Sequence, residues 1–219
     1  FFDEICNNGI DDDEDGLIDC EDSECAPVEF VDSGQALGDS LTIAIALGDV
    51  DSDGDLDFIS ANFEGPSYLY LNDGSGFFTN SGQNLDAPGG HAVELGDLDG
   101  DGDLDAVIGC GGALPDHVFL NDGTGNFTDS NQSLGSQYSY SLTLGDIDGD
   151  FDLDLITGSW NSTNRIYVND GTGFFTGGGT VGGSTGTFAV KLGDVDADGD
   201  LDLLEANWNS QANRVYLND

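Results

Sequence analysis

From residue 43 onward, apolar and polar side chains alternate in short bursts that recur along the chain. Ile43, Ile45 and Leu47 fall on one side of a period-two segment, and Ala44 and Ala46 on the other. The same alternation places together His91, Val93 and Leu95, then Tyr140, Leu142 and Leu144, then Phe188, Val190 and Leu192. Period two with one apolar face predicts a β-strand. The opposite face carries Ala44, Ala92, Ser141 and Ala189, all small, which predicts strands crowded at a narrow centre. A second strand is predicted at 56–61, 104–109, 153–158 and 201–206, and a third at 68–72, 118–121, 165–169 and 214–218. An Asn-Asp-Gly-x-Gly phrase then turns the chain, as at 121–125, with glycines supplying positive φ for a hairpin. A fourth strand opens at Phe78, Phe127 and Phe175, and Phe30 opens the same part of the first unit. No helical segment of useful length is readable.

The bursts define four units, 30–77, 78–126, 127–174 and 175–219. A four-stranded meander of this size buries too little surface alone, so neighbours must stack face to face. Four strands per unit at this period is the pattern of a β-propeller blade. The fold expected is therefore all-β: a propeller-like array of four four-stranded blades. Four units leave either a small closed ring or an open array. The chain stops at Asp219, before the fourth strand of its last unit, and starts Phe1-Phe2, like the opening of such a strand. The expectation is that this start completes the last unit, closing the ring within one chain or donating a strand between chains.

Between first and second strands lies a nine-residue phrase, Asp-x-Asp-x-Asp-x-Asp-x-Asp. It runs from Asp49 to Asp57, Asp97 to Asp105, Asp146 to Asp154 and Asp194 to Asp202, its starts 48, 49 and 48 residues apart. A fifth, related copy runs from Asp11 to Asp19. Carboxylates at this density repel one another unless a hard cation sits among them. Oxygen ligands at positions 1, 3, 5 and 9, with Gly at position 6 for the turn, suit Ca²⁺. The loops are not EF-hands: position 12 is Ser60, Ile108, Thr157 and Glu205, and the flanks read as strands. Phe151 replaces the position-6 glycine of the third loop, so that site is expected to be distorted and weaker.

The net charge is −41, from 44 acidic residues against three basic ones. That balance excludes ordinary nucleic-acid binding and argues against docking on anionic lipid. Five divalent ions would offset only about ten of those charges, so metal explains the clustered Asp and not the whole balance; the excess favours solubility. Residues 1–29 form a separate module with little apolar mass, to be held by metal and disulfides. Three of the four cysteines (Cys6, Cys20, Cys25) lie there, and Cys110 lies in the repeats. Two disulfides in an oxidising compartment are expected, and of three connectivities Cys6–Cys20 with Cys25–Cys110 is preferred. No membrane span is visible.

Other chemistry is sparse. His91 aligns with Ile43, Tyr140 and Phe188 and reads as a packed residue, whereas His117 reads as a surface loop residue. Two histidines and one lysine leave few parts for acid–base or nucleophilic catalysis, so no enzyme is expected. Trp160 and Trp208 align with Phe63 and open loops rich in Asn that end in Arg165 and Arg214. They read either as packing between units, with each Arg paired to an acidic neighbour, or as a surface for a sugar.

These units closely resemble the FG-GAP/VCBS repeats, whose best-known members form the β-propeller of integrin α chains. The matching phrases are Leu47-Gly-Asp-Val-Asp-Ser-Asp-Gly-Asp-Leu-Asp57 and Tyr70-Leu-Asn-Asp-Gly-Ser-Gly-Phe77, with their counterparts. Residues 1–29 are similar to Asp- and Cys-rich calcium modules in the style of thrombospondin type 3 repeats. The resemblance implies calcium in each first hairpin. Side-chain ligands would be Asp49, Asp51, Asp53 and Asp57; Asp97, Asp99, Asp101 and Asp105; Asp146, Asp148, Asp150 and Asp154; and Asp194, Asp196, Asp198 and Asp202. Asp55, Asp103, Asp152 and Asp200 would offer backbone oxygens. In the N-terminal module the ligands fall on Asp11, Asp13, Asp15 and Asp19. The expected function is an extracellular, secreted or cell-surface calcium-binding structural or adhesion protein. It would self-associate by head-to-tail strand donation or meet a glycan or cell-surface partner, with no nucleic acid and no membrane insertion. The alternative is a calcium-dependent, lectin-like propeller.

Overall fold

The computed structural model describes residues 30–112, 114–135, 137–182 and 186–219. The chain divides into two units, Phe1–Ala36 and Leu37–Asp219. In the first, residues 30–36 form no strand, so the strand expected to open at Phe30 is not formed there. The Asp32 side chain instead caps its own turn, its Oδ1 accepting the Gly34 N–H at 2.8 Å. The module 1–29, with Asp11, Asp13, Asp15, Asp19, its three cysteines and Phe1-Phe2, lies outside the described residues.

The second unit is all-β, with no helix among the described residues. Sheet 1 holds β1 (Thr42–Gly48), β2 (Asp57–Asn62), β3 (Ser67–Asn72) and β4 (Phe78–Leu85). Sheet 2 holds β5 (Gly90–Gly96), β6 (Asp105–Cys110), β7 (His117–Asn121) and β8 (Phe127–Asp129). Sheet 3 holds β9 (Ser139–Gly145), β10 (Asp154–Ser159), β11 (Asn164–Asn169) and β12 (Phe175–Val181). Sheet 4 holds β13 (Thr187–Gly193), β14 (Asp202–Asn207) and β15 (Arg214–Tyr216). Each sheet is an antiparallel meander in chain order. The fourth has three strands among the described residues where four were expected, so β15 is its edge.

The first hairpins share one register. Gly48 pairs with Asp57, Gly96 with Asp105, Gly145 with Asp154 and Gly193 with Asp202, so every acidic phrase caps a hairpin at the same place. The first strands of successive sheets lie side by side in the order β1, β5, β9, β13. Their small faces permit this, and Lys191 Nζ on β13 reaches Glu94 Oε1 on β5 at 2.9 Å. Core clusters sit between neighbouring sheets rather than within one. Ile59, Ala61 and Leu69 of sheet 1 pack with Val93 and Ile108 of sheet 2. Ala92 and Val107 pack with Leu142 and Leu155, and Ile156 with Val190 and Leu203. At each end one sheet face stays open: Ile45 and Leu47 of β1 are 60% and 58% exposed, and Leu204 of β14 is 41% exposed. Among the described residues sheets 1 and 4 therefore do not pack on each other, and the strand expected to close the ring from Phe1-Phe2 lies outside them.

Candidate metal centres

The acidic loops are shaped by their own backbone. Positions 4 and 6 both take left-handed φ: Ser52 and Gly54, Gly100 and Gly102, Gly149 and Phe151, Ala197 and Gly199. The position-1 carboxylate gathers the N–H groups this fold turns inward. Asp97 accepts from Gly100 and Gly102, Asp194 from Ala197 and Gly199, and Asp146 from Gly149, Asp150 and Phe151. Position 5 accepts from the N–H of position 7 in each loop, as in Asp53 with Asp55 at 2.9 Å. Position 9 is a buried knot. Asp105 accepts Leu98 N–H at 2.8 Å on one oxygen and Asn121 N–H at 2.8 Å on the other. Asp57, Asp154 and Asp202 hold the corresponding pairs.

Carboxylate oxygens converge within 4.8 Å in four groups: Asp49, Asp51 and Asp53; Asp97, Asp99 and Asp101; Asp146, Asp148 and Asp154; Asp194, Asp196 and Asp202. The first two loops thus gather positions 1, 3 and 5, and the last two gather 1, 3 and 9. Asp57, Asp105, Asp150 and Asp198 stand outside these groups. The position-7 side chains point elsewhere: Asp55, Asp103 and Asp152 lie against Gly74, Gly123 and Gly171 of the following turn, leaving no room for a Cβ. Desolvation, then the charges of Asp57 and Asp53, raises the Asp51 pKa above the usual carboxylate range. Asp99 and Asp196 are raised for the same kind of reason. Burial pushes Asp105 up to about 6 against its two amide donors. In the first loop Asp49 Oδ1 and Asp51 Oδ1 are buried with no hydrogen-bond partner. A buried, unpartnered carboxylate oxygen is costly unless a cation meets it. The residues therefore fit a hard cation, and the all-oxygen donor set is compatible with Ca²⁺.

A family model described as FG-GAP-like repeat matches residues 49–108 and 146–205, together more than half of the chain. The chain belongs to the FG-GAP-like repeat family. Each matched stretch begins on the first Asp of an acidic loop and ends inside a second strand. No curated protein sequence matches the chain. Among solved structures it is similar to BBS1N in complex with ARL6DN, at 8% identity and TM-score 0.51, over 77% of this chain and 51% of that one. It is also similar to the V. cholerae biofilm matrix protein Bap1, at 19% identity and TM-score 0.46, over 74% of this chain and 23% of that one. An Agrocybe aegerita lectin, described as recognising non-reducing terminal N-acetylglucosamine, matches at 21% identity and TM-score 0.45, over 79% of this chain and 51% of that one. These likenesses concern the fold, and the chain spans about half or less of each of those chains.

One feature of these FG-GAP-like repeats was not read from the sequence. The Asn that precedes the Asp-Gly turn is more than a turn residue: in sheets 2, 3 and 4 it is a latch between sheets. Its N–H binds position 9 of its own loop, and its Nδ2 donates to the preceding repeat. Asn121 reaches Val50 O at 2.8 Å, Asn169 reaches Leu98 O at 2.7 Å and Asn218 reaches Ile147 O at 2.8 Å. Asn72, Asn121, Asn169 and Asn218 recur at one register position, which was the available signal. Gln83 and Gln132 form a second tie, each accepting from the Phe that opens the next sheet's outer strand, Phe127 at 2.9 Å and Phe175 at 2.7 Å.

The remaining candidates are packed. His91 lies between Phe63 and Tyr140, at 5.0 and 4.6 Å between ring centroids. Trp160 stacks on Tyr140 at 5.2 Å and meets Trp208 at 5.5 Å, and Phe188 joins Trp208 at 5.8 Å. The rings form one row across the FG-GAP-like repeats. His117 opens β7 rather than standing in a surface loop, because Phe119 two residues on draws that face inward. The acidic partner expected for Arg165 is not found among the described residues; its Nη2 instead lies 2.8 Å from the Gln137 amide, which accepts from it once the amide oxygen and nitrogen are exchanged. Cys110 is a free thiol, fully buried, so the Cys25–Cys110 bridge is not formed. Burial pushes that thiol up to about 12.

Proposed function

We propose that this chain is an extracellular, calcium-braced structural or adhesion protein without enzymatic activity. The supporting observation is the pair of buried, unpartnered oxygens on Asp49 and Asp51, set in the first of four carboxylate groups. Asp49, Asp51, Asp97, Asp99, Asp146, Asp148, Asp194 and Asp196 would hold the ions, with position 5 or 9 completing each group. Bound calcium would supply positive charge to otherwise repelling carboxylates. Extracellular modules of this kind bind calcium with Kd of ~10⁻⁴–10⁻³ M. At tenfold excess over Kd each site would add roughly 1.4 kcal/mol, so four would add roughly 6 kcal/mol, a large part of a domain's stability. The test is thermal melting with calcium and with EDTA, alongside metal analysis. A large fall in Tm on chelation is expected; an unchanged Tm refutes the reading. Association into filaments by strand completion at the β15 edge belongs to the same proposal.

A second reading, a lectin-like surface, draws support from the row of rings. Trp208 and Phe188 are about half exposed, and the row borders a cleft of about 390 Å³ that includes His91, Tyr140 and Phe188. Aromatic faces suit the C–H surfaces of sugars. Glycan-array binding lost in Trp208→Ala is expected on this reading; binding that survives the substitution counts against it.

A further inference from the structure

Every internal junction between sheets repeats one fit. The glycine ending a sheet's first strand stands beneath two leucines of the next sheet. A Cβ on Gly48 would lie 2.7 Å from Leu104 Cδ1 and 2.9 Å from Leu95 Cδ1. On Gly96 it would lie 2.8 Å from Leu153 and 3.0 Å from Leu144, and on Gly145 2.7 Å from Leu201 and 2.9 Å from Leu192. Carbon atoms do not pack so closely, so only glycine admits the leucine pair. The asparagine latch crosses the same junctions in the same direction, from the later sheet to the earlier loop.

The two open faces hold the two halves of this fit. On sheet 4 nothing lies within 4 Å of the Cβ position of Gly193. On the same sheet Ala189, Leu204, Ala206 and Val215, with Lys191 and Arg214, line a mostly apolar cleft of about 340 Å³. Val195 corresponds to Val50, Leu98 and Ile147, yet no asparagine amide reaches its carbonyl among the described residues. On sheet 1, Leu47 and Leu56 correspond to Leu95 and Leu104, and are 58% and 56% exposed. Asn72 Nδ2 reaches only Leu56 O of its own loop, at 3.2 Å, and no earlier loop.

We propose that the sheet 1 face of one copy docks on the sheet 4 face of a second copy. Leu47 and Leu56 seat over Gly193, and Asn72 donates to the Val195 carbonyl. The occupant is a second copy because three internal junctions show what each face accepts, and this chain carries both halves. The contact is heterologous, so it propagates head to tail instead of stopping at a dimer. It is a face contact, independent of strand addition at β15 and of whether calcium fills the loops. Like charge on every copy opposes it, so added salt strengthens it.

Sedimentation velocity on the 219-residue chain, in calcium and moderate salt over rising concentration, tests the proposal. Wild type is expected to grow past dimer without a plateau. Leu47→Asp with Leu56→Asp blocks one face, and Gly193→Phe blocks the other. Both sites face open space, so each variant keeps the wild-type circular dichroism and Tm. Each alone is expected to stay monomeric, and an equimolar mixture to form a 1:1 dimer and stop. Wild type that stays monomeric throughout overturns the proposal, as does a covering of either face by residues 1–36 that keeps it so. Assembly that survives both sets of substitutions runs along the β15 edge and overturns it equally. A dimer retained by each single-face variant means a two-fold contact and also overturns it.

Discussion

Ile156 and Leu204 occupy the same place in β10 and β14, yet Ile156 is 2% exposed and Leu204 41%. Asp154 and Asp202 both accept two backbone amides, from Ile147 and Asn169 in one case and from Val195 and Asn218 in the other. Burial raises Asp154 above the usual carboxylate range, while the two amides lower Asp202. The repeats are nearly the same in sequence; the presence of a following sheet is what differs. Stability in this array therefore resides in the junctions, as expected when each repeat touches only its neighbours.

The sharpest way to break that comparison is to truncate both members. Ile156→Ala removes a side chain packed against Val190 and Leu203, and is expected to cost about 3 kcal/mol. Leu204→Ala is expected to cost under about 1 kcal/mol, since water already reaches the side chain. Urea unfolding midpoints measure both. Equal losses would mean that the sheet 4 face is covered in solution.

The latch gives a second contrast. Asn169→Ala leaves the buried carbonyl of Leu98 and the partly buried carbonyl of Leu153 without their amide, an expected loss of about 2–3 kcal/mol. Asn72→Ala removes two exposed bonds, its amide's to Leu56 O and the Gly76 N–H's to its Oδ1, and is expected to cost under about 1 kcal/mol. The same denaturation series reads both.

A smaller effect separates sheet 2 from sheets 3 and 4. One backbone amide at the end of each second strand is met by a side chain five or six residues on: Ser67, Asp116, Asn164 and Asn213. Only sheet 2 uses a carboxylate. Asp116 accepts Cys110 N–H and Ser139 O–H, both at 2.7 Å, and burial pushes its pKa up to about 7. The Cys110 thiol and the Tyr167 hydroxyl, both raised by burial and by the Asp116 charge, are neutral throughout this range. The folded state therefore binds a proton that the unfolded chain releases near its ordinary value. This stability is fully present below the unfolded pKa and is lost as pH rises through about 7. Asp116→Asn places there the residue sheets 3 and 4 already use. Relative to the variant, wild type should lose about 2 kcal/mol between about pH 5 and pH 7. Parallel pH profiles of Tm would sink the idea.

The strands were legible because period-two alternation and Asn-Asp-Gly turns are local signals. The acidic loops were legible because their register repeats four times. The asparagine latches were not, because each joins residues 71 apart and nothing local distinguishes a turn Asn from a bridging one. Closure was not legible for a related reason: the repeat pattern encodes a face and its complement, but not which repeat supplies them. Left-handed φ at position 4 escaped notice because Ser52 and Ala197 fill it as well as glycines.

The last contrast lies between the second and third loops. Gly102 and Phe151 hold the same turn position at φ 94° and φ 75°. Glycine takes that conformation freely, whereas a side chain there costs about 1–2 kcal/mol. Phe151 is 92% exposed, so its ring returns little of that cost by burial. Phe151→Gly relieves the strain, while the unfolded chain gains freedom that offsets part of the relief. The net gain expected is about 1 kcal/mol, seen as a higher Tm in the absence of calcium. Gly102→Phe should lose a similar amount. The loop keeps its shape with Phe present, since Asp146 still accepts the Phe151 N–H at 3.0 Å. Strain that the empty loop relieves by opening is imposed again when an ion closes it, so it should lower stability and metal affinity together, and Phe151→Gly should raise both. A gain in Tm with no gain in calcium affinity, by calorimetric titration, would separate the turn from the ion seat and show that position 6 shapes the hairpin alone.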